Sequence, residues 1–446
     1  MGARPSVERR RALEILRDVR NGTRADESFE QRAAGLDNRQ RAFTMELAYG
    51  AIRWRDRLDY HLDALLKRGI DTLPPDVISI LELGVYQIAF LERVPVWSAV
   101  DESVELVNHA LPNGVARWAS GLVNAVLRNV DRQRQDLPLP DSEDPIFHLA
   151  IKHSHPKWMV ARWVAAFGAD TTEALLESNN RRPHLHLAIN VQVATTSAVL
   201  EALGDAGIEA RPHPDKPDAV VVGRGTPPTA LPGWAEGWFW VQDVGSQWVT
   251  DMVAARPEDS VLDACAAPGT KLCGLLARAP TIRALAVDID AARLQRVRDN
   301  VHRLGLTEPW LVVSDARSVP TAAQFSVVLA DVPCTGTGVL RRRVDARWRR
   351  SPGDVATFAA FQRELLAQLA DRVAPGGTLV YATCSLEPEE NDQVVTAFLA
   401  DRREFRCVPV GGDTPVRYRD GYYLVTRPWS GDLDGFFAAR LVREAA

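Results

Sequence analysis

Apolar side chains recur every three or four positions through residues 5–130, with no stretch of strict alternation. One stripe is Leu13, Leu16 and Val19, and a second is Leu47, Ile52, Leu58, Leu62, Leu65 and Leu66. Val77, Ile80, Leu81, Val85 and Ile88 form a third, and Val100, Val104 and Val107 a fourth. Such spacing puts side chains on one helical face. Pro74-Pro75, Pro95 and Pro112 fall between the stripes, where helices break, and Asn113-Gly114 opens a last helix through Leu122, Val126 and Leu127. The pattern predicts an all-α bundle of five or six helices. Residues 131–145, polar with three prolines, read as a linker.

The rhythm then changes. Residues 146–182 read as helical. Residues 183–240 mix strand patterns at 185–191, 219–222 and 238–241 with a helix at 196–203, a small α+β linking piece. From 241 onward strands (260–263, 284–288, 309–313, 326–331, 378–383) alternate with helices (271–279, 290–304, 352–373, 389–399). Alternation of this kind specifies an α/β, Rossmann-like domain whose parallel sheet is covered on both faces. Residues 421–424 and 435–442 read as a terminal antiparallel hairpin. The fold class expected is therefore multidomain, divided at 1–135, 146–240 and 241–446. There is no internal repeat.

Composition narrows the classes. The chain has 446 residues, 46% hydrophobic and 25% charged, so it is globular rather than disordered or fibrous. No apolar run approaches the ~20 residues of a membrane span. Arg9-Arg10-Arg11 has no apolar stretch behind it, so no secretory signal is expected. All five cysteines (Cys265, Cys273, Cys334, Cys384, Cys407) follow residue 264, too few for a disulfide scaffold, and a reducing cytoplasm is expected. The net charge of −5 argues against nucleic acid on average, but averages hide patches. Residues 341–350 (RRRVDARWRR) hold six arginines and one acid, and residues 1–20 hold six arginines and three acids. Either run is a solvated helix face or a phosphate contact.

Ligands of a doubly wound sheet sit outside the carboxyl ends of its strands. Here Asp263, Asp288, Asp315 and Asp331 stand at four successive ends and Cys384 at the next. One such Asp is commonly a helix cap; four in register point to a ligand. The first loop has neither GxGxxG nor GxxxxGK[ST], which disfavours a phosphate cradle. Its small residues, Cys265-Ala266-Ala267-Pro268-Gly269-Thr270-Lys271, let a ligand approach the backbone. Asp288 stands where a carboxylate accepts from ribose hydroxyls, and Asp315 can accept from an adenine amino group. Ribose and adenine without pyrophosphate fit S-adenosylmethionine better than NAD, though the residues alone leave both open. No CxxC pair or His cluster suggests a metal.

The motifs DACAAPGTK (263–271), DVPCTGTGVLRRR (331–343) and ATCSLEPEEN (382–391) resemble those of RNA cytosine-C5 methyltransferases of the Sun/Fmu family, bacterial RsmB type. RQRA (39–42) with Tyr49-Gly50, LGVYQ (83–87), FLERVP (90–95) and VNAVLR (123–128) resemble the NusB-like RNA-binding domain of that type. HPKW (155–158) with Arg162-Trp163, and VQDVGSQ (241–247), resemble its linking RNA-binding region. The likeness spans almost the whole chain. Departures are Thr270 for a second Gly, Leu272-Cys273 for a Thr pair and Val244-Gly245 for an acidic-small pair. Thr270 requires a negative φ there.

The resemblance implies methyl transfer from S-adenosylmethionine to C5 of one cytosine of 16S ribosomal RNA through a cysteine adduct at C6. It assigns the nucleophile to Cys384 and product release to Cys334. Position alone favours Cys334 as the nucleophile, because it follows an Asp at a strand end. Asp331 would assist protonation of the ring, and residues 265–271, Asp288, Asp315 and Asp331 would hold the cofactor. Cys273 and Cys407 read as buried small hydrophobes. Arg341–Arg343 and Arg347–Arg350, just after the Pro-Cys loop, would clamp phosphates beside a flipped base, with Trp348 stacking or packing. A monomer without metal or membrane attachment is expected. A non-catalytic NusB-like antitermination factor, the same chemistry on tRNA, and an NAD-dependent dehydrogenase are the competing readings.

Overall fold

The computed structural model describes residues 5–141, 143–223, 225–411 and 414–445. They form two compact units, one comprising residues up to Arg181 with Leu340–Arg349, the other Arg182–Val339 with the residues from Arg350 onward.

The first unit is helical: α1 (Val7–Arg20), α2 (Ala25–Arg32), α3 (Asn38–Arg53), α4 (Arg55–Leu65), α5 (Pro75–Phe90), α6 (Val96–Ala110), α7 (Asn113–Arg132), α8 (Pro145–His153), α9 (Lys157–Phe167) and α10 (Ala169–Asn180). The prolines that break the apolar stripes are helix starts, with Pro74, Pro95 and Pro112 at the N-caps of α5, α6 and α7. Asp37 and Gln40 close a capping box on α3. The stripes meet in one core that includes Leu13, Leu47, Leu58, Leu62, Ile80, Val107 and Leu127. Three arginines of α1 are held by partners on other helices of this bundle. Arg9 Nε donates to Gln87 at 2.7 Å, Arg17 Nε to Asp76 at 2.7 Å and Arg20 Nη2 to Glu82 at 2.6 Å. Helices α8–α10, which the sequence groups with the sheet that follows, join this unit: Ser154 Oγ accepts from Asp56 N at 3.1 Å, and Lys152 O from Arg57 Nη1 at 3.1 Å.

The second unit begins with β1 (Leu185–Ile189), α11 (Thr196–Asp205), β2 (Ala210–His213), β3 (Lys216–Val222) and β4 (Phe239–Val241). The four strands form an antiparallel sheet ordered β2-β3-β1-β4. Strand β2 was not predicted; it is a short edge strand containing Pro212, which weakens the period-two signal. Helix α12 (Val244–Val253), capped by Asp243, was not predicted either, because nine of its residues are buried and no polar face marks it. The chain continues through β5 (Ser260–Asp263), α13 (Thr270–Arg278), β6 (Arg283–Asp288), α14 (Ala291–Arg303), β7 (Trp310–Val313) and β8 (Phe325–Asp331). It gives α15 (Ala346–Arg349) to the first unit and resumes with α16 (Pro352–Ala370), β9 (Val373–Thr383), α17 (Asp392–Asp401), β10 (Phe405–Val408), β11 (Arg419–Asp420), β12 (Tyr423–Thr426) and β13 (Phe436–Arg443). The nine-stranded sheet is ordered β11-β12-β13-β9-β8-β5-β6-β7, with β10 also on β13. From β7 to β9 it is parallel, and β13 and its hairpin partner β12 extend it antiparallel. Period-two alternation divides the core. Val261, Leu329 and Val380 face α13 and α14, while Leu262, Val328 and Leu379 face α16 and α17.

The arginine segment 341–350 corrects a sequence expectation. Arg347 is fully buried in the first unit and donates to Ser154 O at 3.0 Å, Asn180 Oδ1 at 2.9 Å and Asn179 O at 3.3 Å. Burial pulls its guanidinium down to about 9. Arg341 is buried as well, and Trp348 Nε1 donates to Ile52 O at 2.6 Å. A guanidinium enclosed by amide oxygens fastens the segment and is not available to phosphate. Arg347→Met should destabilise the protein by about 2–4 kcal/mol, since the enclosed acceptors lose their donor. Exposed Arg343→Ala should stay within about 0.5 kcal/mol of wild type. Urea denaturation of both variants measures the contrast.

Candidate functional site

The site lies at the carboxyl ends of the parallel strands. Strand β5 runs between β6 and β8, so the loops that follow β5 and β8 leave toward opposite faces of the sheet. This switch point opens a crevice. Loop 264–269 lines it. Ala266 N donates to Val287 O at 2.9 Å and Ala267 N to Asp288 Oδ2 at 3.1 Å. The Ala267–Pro268 peptide is cis. Gly269 takes φ +95°, where a Cβ would stand 3.0 Å from Val297. Thr270 is the first residue of α13 and has a negative φ, so the turn needs one glycine and the second position tolerates a Cβ.

Three carboxylates meet here. Asp288 is buried, and Arg293 Nη1 lies 3.4 Å from its Oδ1 while Arg293 Nη2 holds Ala267 O at 2.8 Å. Asp331, at the end of β8, receives Lys271 Nζ at 2.5 Å. Asp263 is 1% exposed, and its Oδ1 has no hydrogen-bond partner. Burial, then the neighbouring Asp331 charge, pushes its carboxyl up to about 7. Asp263 was seen in the sequence as a strand end but not as a site residue; only its missing partner singles it out. Asp315 lies after β7 and faces Arg317, which donates through Nε at 3.1 Å and Nη2 at 2.7 Å. That contact holds the Asp315 carboxyl below its ordinary range.

Beside Asp331 the two motif cysteines come together. Cys334 Sγ lies 3.3 Å from Cys384 Sγ, one thiol from the loop after β8 and one from the loop after β9. The hydrogen bond to Cys384, then burial, raises the Cys334 thiol well above its usual range. Backbone bonds lock the loops to each other: Val332 N to Ala382 O at 3.0 Å and Gly338 N to Cys384 O at 2.9 Å. Arg350, read from sequence as a phosphate contact, instead donates to Thr335 O at 2.8 Å and Cys334 O at 3.2 Å. Among the described residues the other three thiols have no sulfur partner at hydrogen-bond distance, and burial is the first cause of their shifts. Burial pushes Cys273 up to about 12 and raises Cys265 and Cys407, which disfavours their thiolates.

The chain is 36% identical over 415 residues to the ribosomal RNA small subunit methyltransferase B of Pseudomonas putida, covering 92% of both. It belongs to the RsmB/F family of 16S rRNA methyltransferases. The family so described matches residues 250–442, the NusB family matches 6–132, and the RsmF/B-like ferredoxin-like domain matches 155–228. The namesake enzyme of Salmonella newport is 37% identical over 421 residues, 93% of each chain. Among solved structures, that of PH0851 covers 99% of this chain and 100% of its own at a TM-score of 0.81 and 22% identity. A methyltransferase homologue from Pyrococcus horikoshii covers 67% of this chain and 99% of its own, with a TM-score of 0.59 and 23% identity. The family membership fixes the architecture as a NusB-type helical part, a linking part and a Rossmann-like methyltransferase part. Among the described residues no helix is long and apolar enough to cross a membrane.

Gly338 is where the two cysteine loops touch the entry to β13. A Cβ there would stand 2.3 Å from Gly435 O and 2.9 Å from Cys384 O, both backbone atoms. Gly338→Ala should therefore cost about 2–3 kcal/mol, the upper part of the roughly 1–3 kcal/mol typical of overpacking, because backbone atoms cannot rotate away. A thermal melt indistinguishable from wild type would show that the loops yield.

Proposed function

We propose that this methyltransferase uses S-adenosylmethionine to methylate C5 of a cytosine in 16S rRNA, with Cys384 as nucleophile and Cys334 as the base that releases the product. The 3.3 Å approach of the two sulfurs carries this reading. It is supported by the relatives named as small-subunit RNA methyltransferases and by the carboxylate-lined crevice beside the thiols. Residues 1–135 would act as a NusB-like RNA-binding part, 146–240 as the linking part and 241–446 as the catalytic domain, in a cytoplasmic monomer without metal.

The crevice fits the cofactor. An orphaned carboxylate oxygen on Asp263, with Asp288 and Asp331 nearby and Lys271 as counter-charge, suits a ligand carrying positive charge next to hydroxyls. Residues 265–271 would meet it through their backbone, Asp288 through the ribose hydroxyls and Asp315 through the adenine amine. Asp315 keeps acceptor positions even while it faces Arg317, since a carboxylate offers about four. When bound, S-adenosylmethionine supplies an electrophilic methyl group.

The residues then have distinct tasks. The Cys384 thiolate adds to C6, and the C5–C6 π pair moves onto the ring, which takes a proton at N3 from the Lys271–Asp331 pair. C5 gains the methyl and is left with both methyl and hydrogen. Cys334 loses its own proton to solvent, which becomes easier once Cys384 sulfur is a thioether and no longer holds the hydrogen bond that raises Cys334. It then removes the C5 proton. That pair re-forms C5=C6, the C6–S bond breaks with its electrons returning to Cys384, and N3 returns its proton. One proton is released per turnover.

Cys384→Ala should abolish product. Cys334→Ala should accumulate an enzyme–RNA complex that survives denaturing electrophoresis, and the double variant should show none. A complex that persists without Cys384 would exchange the two roles.

Cofactor affinity should depend on pH through Asp263. Its carboxyl is raised to about 7 in the empty site, so it is only partly ionised at neutral pH, and a cationic ligand favours the ionised form. Binding should therefore weaken as pH falls below 7, by on the order of tenfold per unit at most. Calorimetry at pH 6 and pH 8 tests this, and Asp263→Asn should flatten the difference.

A further inference from the structure

The two cysteines arrive on different strands, and one buried side chain joins the residues that directly follow them. Glu390 is 0% exposed, on the turn before α17. Its Oε1 accepts from Thr335 N at 2.8 Å and from Gln362 Nε2 at 3.0 Å. Its Oε2 accepts from Ser385 Oγ at 2.5 Å and, by a shorter contact, from Thr335 Oγ1. Thr335 follows Cys334 and Ser385 follows Cys384. Four donors fill the four acceptor positions of an ionised carboxylate. Gln362 also holds Pro333 O at 2.9 Å, and Tyr381 OH donates to the Glu390 carbonyl at 2.6 Å. Charge-assisted hydrogen bonds of this kind are short and directional, and the low local dielectric strengthens them.

We infer that Glu390 is a positioning residue: it sets the approach of Cys334 and Cys384 by gripping the residue after each. The inference rests on the two-thiol reading above but is tested without it. Among the described residues Glu390 makes no hydrogen bond to either sulfur; its charge adds to what raises Cys334, and its grip on the loops reaches both cysteines. Its reach matters as much as its charge. Aspartate keeps the charge and is shorter by about 1.5 Å, one C–C bond, too short to hold both loops at once. Glutamine keeps the reach and can still accept from Thr335 N and Gln362.

The readout is thiol–thiol proximity in the full-length protein, separate from methyl transfer. Diamide takes two electrons and two protons from a close thiol pair, becoming the hydrazide and leaving a disulfide, and mass spectrometry of unreduced peptides follows the Cys334–Cys384 link. In Glu390→Asp the link should form at least tenfold more slowly than in wild type. kcat should fall at least tenfold with KM for S-adenosylmethionine unchanged. Glu390→Gln should recover most of both. If Glu390→Asp does not fold, Ser385→Ala, which removes one donor to the same oxygen, should show the same slowing in smaller degree. An unchanged linking rate in the folded variants, or lost stability with linking and kcat intact, would overturn the assignment. Slowed linking in Glu390→Asp with full activity in Cys384→Ala would instead retain the positioning role and remove the nucleophile.

Discussion

A parallel sheet puts the carboxyl ends of all its strands on one edge, and that constraint brings together residues far apart in this chain. Asp263, Asp288, Asp331 and Cys384 have no reason to meet in sequence. They meet because β5, β6, β8 and β9 run the same way and because β5 lies between strands whose connections leave on opposite faces. Everything chemical in the second unit hangs on that edge. The antiparallel strands β13 and β12 widen the sheet, and the turn before β13 closes against the cysteine loops through Gly435 N and Gly338 O at 2.8 Å.

The edge would be useless if its buried polar groups were left to chance. An unpaired buried charge costs several kcal/mol, so each one must be enclosed by partners or shift toward neutrality. The chain shows both outcomes. Glu390 in the second unit is a carboxyl that burial raises and four donors pull back, and Arg347 in the first is a guanidinium that burial lowers, ringed by amide oxygens. Both are fully buried, and each fastens segments remote in sequence. Burial raises the carboxyls of both Glu390 and Asp263, and what sets Asp263 apart is that one of its oxygens lacks a partner. An incomplete shell in an otherwise well-satisfied site is where a ligand has something to add.

The elements were legible because their periodicity is clean. The helical stripes, the strand ends at 263, 288 and 331 and the terminal hairpin were readable from spacing and from Asp placement alone. What could not be read had physical causes. Helix α12 is buried on nearly every side and β2 carries a proline, so neither has a contrast of faces to detect. The arginine run misled because charge density in sequence does not tell whether a guanidinium meets water or a ring of carbonyls. Arg347 and Arg343 are four residues apart, yet one is fully buried and the other exposed. The partners of Arg347 come from residues 154, 179 and 180, and no local pattern announces them. Glu390 sat inside a recognised motif without a role, because its donors at 335, 362 and 385 become visible only when the loops fold together.

Position alone favours Cys334, which follows an Asp at a strand end, whereas the family likeness assigns the nucleophile to Cys384. The structure changes the question from which cysteine is reactive to how a pair shares a proton. At 3.3 Å one sulfur donates to the other, and the donor thiol is held protonated by that bond. Cys334 is the one raised, with Cys384 the first cause. In the proposed reading Cys334 is the donor, and a thiol that donates to a neighbouring sulfur favours a thiolate there. In the proposed mechanism the arrangement also orders the two tasks in time. In that mechanism Cys334 keeps its proton while Cys384 is an anion, and once Cys384 is bonded to carbon the reason for keeping it is gone. A base that becomes available only after the nucleophile has acted requires the two sulfurs to stay within hydrogen-bond reach throughout. Under that mechanism, holding the loops after β8 and β9 rigid is part of the chemistry and not only of the fold.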